Sequence, residues 1–182
     1  MTDAKDRVDV AIMMGSKSDL DGMRPAAAVL QTLGLGVEVR VLSAHRTPEE
    51  AAAFVRESTA RGVKVFICGA GGAAHLAGAV AAHTTRPVIG VPINASALCG
   101  LDSLLATVMM PAGMPVATVA IGCAENAGLL AAQIIAVGDA ALAERVDAER
   151  GARRRKVLES DAAVRAELRP GPGEKIDGKR GA

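Results

Sequence analysis

Two histidines, one arginine and several hydroxyl groups lie in three short segments that together could do chemistry. The segments are residues 15–19 (Gly-Ser-Lys-Ser-Asp), 43–48 (Ser-Ala-His-Arg-Thr-Pro) and 69–76 (Gly-Ala-Gly-Gly-Ala-Ala-His-Leu). Each follows a short apolar run and precedes an alanine-rich helical pattern, which predicts a turn from a strand into a helix. Because such turns share one edge of a parallel sheet, we expect the three segments to converge on one pocket.

The first segment and Arg46 together have the groups that bind a phosphate. A helix N-terminus presents unpaired N–H groups, and Ser16, Ser18 and Arg46 would add hydroxyl and guanidinium donors. The serines could instead simply cap the helix, but an arginine in a neighbouring turn favours phosphate binding. Asp19 would repel a phosphate. It is better suited to accept hydrogen bonds from sugar hydroxyls, or to stabilise the first helical turn.

His45 is the strongest catalytic candidate. It lies in a predicted loop, beside an arginine, in a site that otherwise has few titratable groups. An imidazole titrates close to neutral pH, so it can both give and take a proton. His75, at the start of the third helix, is predicted to be a second site residue or a hydrogen-bond partner that orients the first. His83 is placed on the body of that same helix and is given no role.

The third segment also fits a looser pattern, the glycine fingerprint of dinucleotide-binding enzymes, through Gly69, Gly71 and Ala74. That fingerprint expects an acidic residue about 20 positions further on, at the end of the next strand. The sequence there reads Val-Pro-Ile-Asn over residues 91–94 and offers no acid. The small residues are therefore better explained by close approach of the backbone to a small ligand and by a tight apolar wall.

Composition limits the class of protein. Half of the 182 residues are hydrophobic, yet the chain has two Phe and no Trp or Tyr, so small aliphatic side chains must fill the core. The formal net charge is +1, and with only two aromatic residues there is no platform for base stacking, so nucleic acid is not an expected partner. No apolar run reaches the roughly 20 residues of a membrane helix, and the polar N-terminus lacks a signal peptide, so we expect a cytoplasmic protein without a membrane partner.

The three cysteines predict neither a disulfide framework nor a metal site. Cys68, Cys99 and Cys123 are odd in number, widely spaced and without a Cys-x-x-Cys pattern, so we expect buried, inert thiols. The spacing of His75 and His83 does not suit zinc either, and no third ligand is evident.

Alternating strand and helix patterns predict an open α/β sandwich with a parallel sheet and right-handed crossovers. The helix starting at Pro48 is predicted to be capped by Thr47, and Gly34 and Gly62 are predicted to end the first two helices. One domain is expected over residues 1–168, with its core at 8–137, a C-terminal helix at about 139–166, and a disordered tail at 169–182. The predicted strands are residues 8–14, 37–42, 63–68, 88–91 and 116–121.

With these residues in place, the chain closely resembles the N5-carboxyaminoimidazole ribonucleotide mutase family of purine biosynthesis. The similarity runs unbroken from about residue 8 to residue 137 and rests on several linked motifs, which makes it far more specific than a single glycine pattern. The matching segments are residues 14–19, 43–48, 70–76, 100–104, 110–111 and 126–131.

The resemblance implies a flavodoxin-like, three-layer α/β/α sandwich around a central parallel sheet. It also implies a homo-octamer with sites near subunit boundaries, a ribonucleotide monophosphate as substrate, and no metal or organic cofactor. The implied reaction moves a carboxylate from the exocyclic nitrogen of the ribonucleotide to C4 of its imidazole.

On matching positions, the resemblance makes His45 the proton shuttle and assigns the ribose phosphate portion to Ser16, Asp19 and Arg46. Two alternatives stay open. One is the related aminoimidazole ribonucleotide carboxylase, which takes free carbon dioxide, and the other is a binding module without turnover. The full predicted set of substrate-binding residues is Ser16, Ser18, Asp19, Ser43, Ala44, Arg46, Gly71, Gly72, Ala73, Ala74, His75 and Leu76.

Overall fold

The computed structural model describes residues 7–169, which form five strands and six α-helices in alternation. The strands are β1 (Val10–Met14), β2 (Val37–Val41), β3 (Val65–Gly71), β4 (Val88–Ile93) and β5 (Ala117–Thr118). A 3-10 turn, Lys17–Asp19, leads into the first helix. The helices are α1 (Leu20–Thr32), α2 (Pro48–Ala60), α3 (Leu76–Ala81), α4 (Leu101–Val108), α5 (Ala124–Ala136) and α6 (Ala140–Glu167).

The strands form one parallel sheet in the order β2-β1-β3-β4-β5. This is the flavodoxin-like strand order, in which the chain reverses direction across the sheet between β1 and β3. The predicted fold is therefore confirmed. The ends of β1, β2 and β3 lie side by side, so the three segments singled out from the sequence do meet at one edge.

The core lies on both faces of the sheet because successive side chains of a strand point to opposite sides. On one face, Ile12 and its neighbours pack with α1 and α5. On the other face, Met13 packs with α2 and α3. All five residues of β1 are buried, as expected for a central parallel strand covered by helices.

Small residues let the helices come close to one another and to the sheet. A Cβ added at Gly128 of α5 would lie 2.8 Å from the carbonyl oxygen of Ala26 in α1 and 2.5 Å from Val29. Close helix packing of this kind replaces the bulk that aromatic residues supply in other cores.

Several predicted boundaries are confirmed and others are wrong. Helix α2 begins at Pro48, and Gly34 and Gly62 follow α1 and α2 with φ of 76° and 98°, a conformation that favours glycine. Strand β5 has only two residues, Ala117 and Thr118, which pair with Ile89 and Gly90 of β4. The Val119 N–H still donates to the Gly90 carbonyl oxygen at 3.1 Å, but the predicted strand does not continue to Ile121. Helix α3 stops at Ala81, so His83 lies in the turn after the helix and not on its body.

Helix α6 matches its predicted bounds closely. Asp139 caps it, with its carboxylate accepting a hydrogen bond from the Leu142 N–H at 3.0 Å. Further along, Arg153 donates to Glu125 of α5 at 2.7 Å and forms an ion pair with Glu149, so α6 is tied to the preceding helix. Of the tail predicted to be disordered, residues 170–182 lie outside the described residues.

No helix within residues 7–169 has the combined length and apolar character needed to span a membrane.

The prediction of three buried thiols is wrong for two of them. Cys68 is buried in β3, whereas Cys123 is half-buried and Cys99 is exposed, in a loop where its φ is 52°.

Candidate active site

A cleft of about 360 Å³ lies at the carboxyl edge of the sheet, above the ends of β1, β2 and β3. This is where ligands bind in open α/β sheets. Each of the three segments predicted from the sequence contributes to its wall. The lining residues are Gly15, Ser16, Ser18, Asp19, Ser43, Ala44, His45, Arg46, Ala70, Gly71, Ala73, His75, Leu76 and Ala95.

The turn after β1 presents polar groups to the cleft. Ser16 caps the 3-10 turn, its hydroxyl accepting a hydrogen bond from the Ser18 N–H at 3.3 Å. The Ser18 hydroxyl lies 2.8 Å from Ser16 Oγ and 3.3 Å from Asp19 Oδ1. Capping and ligand binding are thus compatible here, because the capping hydroxyl still lines the cleft and retains hydrogen-bonding capacity.

The loop between β2 and α2 holds the arginine and the first histidine. The Ser43 hydroxyl accepts hydrogen bonds from the backbone N–H groups of Arg46 at 3.3 Å and His45 at 3.4 Å. The Arg46 guanidinium donates from Nη2 to the Gly15 carbonyl oxygen at 2.5 Å. This bond fixes the guanidinium beside the turn after β1, and the guanidinium has further N–H donors for an anion.

Thr47 does not cap α2 through its side chain, contrary to the prediction. Its hydroxyl turns back instead. It accepts a hydrogen bond from the Ser43 N–H at 2.8 Å and donates to the Ser43 carbonyl oxygen at 3.1 Å.

The turn after β3 supplies the apolar wall. A Cβ added at Gly71 would lie 2.5 Å from the Cβ of Ala95, so only glycine fits at this point of the wall. Two predicted site residues do not reach the cleft. Gly72 turns the backbone with φ of 59°, and Ala74 is only 1% exposed because its side chain packs into the interior.

His45 and His75 meet across the cleft. Their ring nitrogens Nε2 of His45 and Nδ1 of His75 are 2.8 Å apart, and the ring planes are 83° from parallel. In such a contact one imidazole donates and the other accepts, so each fixes the protonation state of the facing nitrogen on the other. Both residues are exposed, which leaves them accessible to a ligand in the cleft.

Nothing in residues 7–169 groups three or more His, Cys, Asp or Glu side chains in a way that could hold a metal ion. Cys68 lies in β3 next to the cleft but does not line it. Burial raises the pKa of its thiol far above the usual range, so this group stays protonated and unreactive.

Comparison with known proteins shows which family this chain belongs to. A family model described as AIR carboxylase matches residues 9–156, which include all five strands and the whole cleft. The chain belongs to the AIR carboxylase family.

Relatives within the AIR carboxylase family carry a more specific name. Proteins named N5-carboxyaminoimidazole ribonucleotide mutase are 54% identical in Brucella melitensis, over 84% of this chain and 95% of that protein, and 52% identical in Bacillus subtilis, over 83% and 94%. A crystal structure of Treponema denticola PurE superposes with a TM-score of 0.79 at 31% identity, covering 86% of this chain and 98% of that one. The family resemblance drawn from the sequence is confirmed.

Sequence reasoning about this AIR carboxylase family member missed three residues of the cleft wall. Gly15 and Ala70 sit inside segments that were singled out, but neither was assigned to the site. Ala95 was missed because it follows β4, a strand whose end carries no titratable group. The signal for Ala95 is topological, since β4 is the neighbour of β3 and the ends of adjacent parallel strands share one edge.

Proposed function

We propose that this chain converts N5-carboxyaminoimidazole ribonucleotide to 4-carboxy-5-aminoimidazole ribonucleotide in purine biosynthesis. The observation that carries the proposal is the contact between His45 and His75 in a cleft that is also lined by one arginine and three serines. The mutase name of relatives that are 54% and 52% identical supports it.

In this proposal the cleft binds the substrate through its phosphate and ribose. Ser16, Ser18 and Arg46 bind the phosphate, because hydroxyl and guanidinium donors lie together beside the first turn of α1. Asp19 accepts hydrogen bonds from the ribose hydroxyls. The imidazole ring then lies toward the histidines and the wall formed by Gly71, Ala73 and Leu76.

His45 acts first as an acid and then as a base. The bond between the exocyclic nitrogen and its carboxylate breaks, its electron pair stays on nitrogen, and protonated His45 supplies a proton there. C4 of the electron-rich ring then attacks the released carbon dioxide and forms the new carbon–carbon bond. Neutral His45 removes the C4 proton and restores the aromatic ring. No net proton or co-reactant is consumed, since the reaction is an isomerisation.

The small apolar wall keeps the released carbon dioxide close to C4 in this reaction. Carbon dioxide is free between its release and its capture, so its escape competes with product formation. Small residues packed against each other, as at Gly71 and Ala95, leave little space around the reacting atoms. Holding the gas near C4 raises its effective concentration.

The second candidate function is carboxylation of aminoimidazole ribonucleotide by free carbon dioxide. The description of the matching family model favours it, whereas the names of the relatives and the Arg-Thr-Pro sequence at residues 46–48 favour the mutase. A module that binds without turnover is disfavoured because binding a phosphate requires neither histidine.

An ultraviolet absorbance assay separates these functions. Purified protein is given either N5-carboxyaminoimidazole ribonucleotide, or aminoimidazole ribonucleotide with bicarbonate, with the His45→Asn variant as control. We expect conversion of the first substrate only, dependent on His45. Turnover of only the second substrate would make the protein a carboxylase, and binding without turnover of either would make it a binding module.

We further propose that the enzyme works in the cytoplasm as a homo-octamer. The outward face of α4 supports self-association, because Leu101, Leu105 and Val108 recur at helical spacing with about half of each side chain exposed (52%, 51% and 49%). Light scattering of the purified protein tests this directly. A monomer at micromolar concentration would contradict it.

A further inference from the structure

Thr47 closes a five-residue loop through three hydrogen bonds to one residue. Its hydroxyl accepts from the Ser43 N–H at 2.8 Å and donates to the Ser43 carbonyl oxygen at 3.1 Å, and its own N–H donates to the same oxygen at 3.0 Å. Both backbone groups of Ser43 are therefore bonded to Thr47. The positions of the residues between them depend on this closure.

This use of the hydroxyl leaves the helix that follows without a side-chain cap. Thr47 is the N-cap residue of α2 and Pro48 is its first residue, the arrangement in which a threonine usually bonds the N–H groups of the first turn. A side chain that gives up such a stabilising bond to fix a loop indicates that the loop geometry matters for function.

The closed loop carries both kinds of group that the proposed reaction needs. Ser43, held at both backbone groups, turns its hydroxyl toward the N–H groups of His45 and Arg46 at 3.4 and 3.3 Å. Arg46 then reaches Gly15 and His45 reaches His75. Hydrogen bonds thus hold the backbone of Ser43 to Thr47, and the Ser43 hydroxyl to the backbone of His45 and Arg46, the two residues whose side chains are functional.

We propose that Thr47 is a positioning residue, which holds the loop so that His45 and Arg46 face the substrate together. The proposal rests on the proposed function of the same cleft. Thr47 itself does not line the cleft. Loss of the Thr47 hydroxyl should slow turnover because His45 is displaced, and should weaken substrate binding because Arg46 is displaced.

The test compares three single variants of the full chain. Thr47→Val keeps the shape of the side chain but removes both hydroxyl bonds, and Thr47→Ser keeps the hydroxyl. Thr59→Val is the matched control, because Thr59 lies near the other end of α2, away from the cleft. Its hydroxyl also makes two bonds, to the Val55 carbonyl at 2.8 Å and to Thr84 at 3.0 Å.

We expect Thr47→Val to lower kcat and raise KM, with a combined loss of about 10- to 100-fold in kcat/KM, as misplacement of catalytic groups by about 1 Å can produce. Thr47→Ser should restore kcat/KM to within about threefold of the original chain. Thr59→Val should lower the thermal midpoint about as much as Thr47→Val does, while leaving kcat and KM unchanged. Full activity of Thr47→Val, or an equal loss in Thr59→Val, would overturn the proposal.

A second measurement separates this proposal from the proposed function. Amide hydrogen exchange at Ser43 reports the loop closure whether or not the protein turns over either substrate. We expect faster exchange at Ser43 in Thr47→Val than in the original chain, with unchanged rates in the strands. Unchanged exchange at Ser43 refutes the closure even in an active enzyme, whereas absence of turnover in the original chain refutes only the function.

Discussion

Replacing His45 with asparagine should remove the proposed proton transfer while leaving the fold intact. The side chain is exposed, and its hydrogen bond within residues 7–169 is the one to His75 at 2.8 Å. Asparagine is similar in size and polarity but cannot carry a proton near neutral pH. The rest of the cleft, including the Arg46 contact with Gly15, does not depend on the His45 ring.

The two expected effects differ greatly in size. Substitution of an exposed residue changes the free energy of unfolding by about 0.5 kcal/mol or less, which for a chain of this length moves the thermal midpoint by about 2 °C or less. Loss of a general acid–base group costs about 10²- to 10⁴-fold in rate. At about 1.36 kcal/mol per tenfold, this corresponds to a barrier increase of roughly 2.7 to 5.4 kcal/mol.

The assay measures kcat and KM by ultraviolet absorbance and the thermal midpoint by circular dichroism, because the chain has no Trp or Tyr to follow by fluorescence. His83→Asn is the matched control, since His83 is also exposed but lies in the turn after α3, outside the cleft. We expect kcat to fall only in His45→Asn, with KM within about threefold. Retention of more than about a tenth of kcat in that variant would refute the role of His45 as proton shuttle.

Three further outcomes are expected. Arg46→Ala should raise KM by about 10- to 100-fold with a smaller effect on kcat, as expected for the loss of a charge-assisted bond to phosphate, and an unchanged KM would exclude it from the phosphate site. An alkylating reagent at pH 8 should label exposed Cys99 in the folded protein but Cys68 only after unfolding, as mass spectrometry of the peptides would show. The hydrogen bond from Arg153 lowers the pKa of Glu125, so this contact stabilises the fold above about pH 4 and is lost as the pH falls through the lowered value. Glu125→Gln should therefore make the free energy of unfolding depend less on pH on the acid side. Identical acid titrations of the two proteins would contradict this.

Much of the fold was accessible from the sequence because its signals are local. Five apolar runs separated by helical patterns were enough to predict the parallel sheet, and Pro48 marks a helix start by its fixed φ and missing N–H. Strand lengths were less predictable. Strand β5 pairs with β4 through only two residues, and nothing local distinguishes the apolar residues that leave the sheet from those that stay.

Site residues could be predicted where the side chain is of a type that takes part in catalysis or binding. They could not be predicted where only the backbone conformation determines whether a small residue lines the cleft. His45, Arg46 and Asp19 stand out by residue type. Gly72 and Ala74 look identical in type to their lining neighbours, yet one supplies a turn and the other packs inward. The diversion of the Thr47 hydroxyl from its helix is equally invisible in the sequence, because a threonine before a proline fits a cap just as well.

The order of strands in the sheet also determines when the cleft can exist during folding. Val10 of β1 pairs with Val37 on one side and with Val65 on the other, so the three loops meet only after two separate long-range pairings have formed. Such non-local parallel pairings form slowly because the intervening chain must be ordered first. Recovery of catalytic activity during refolding should therefore follow completion of the central sheet, and neither half of the chain alone should carry any activity.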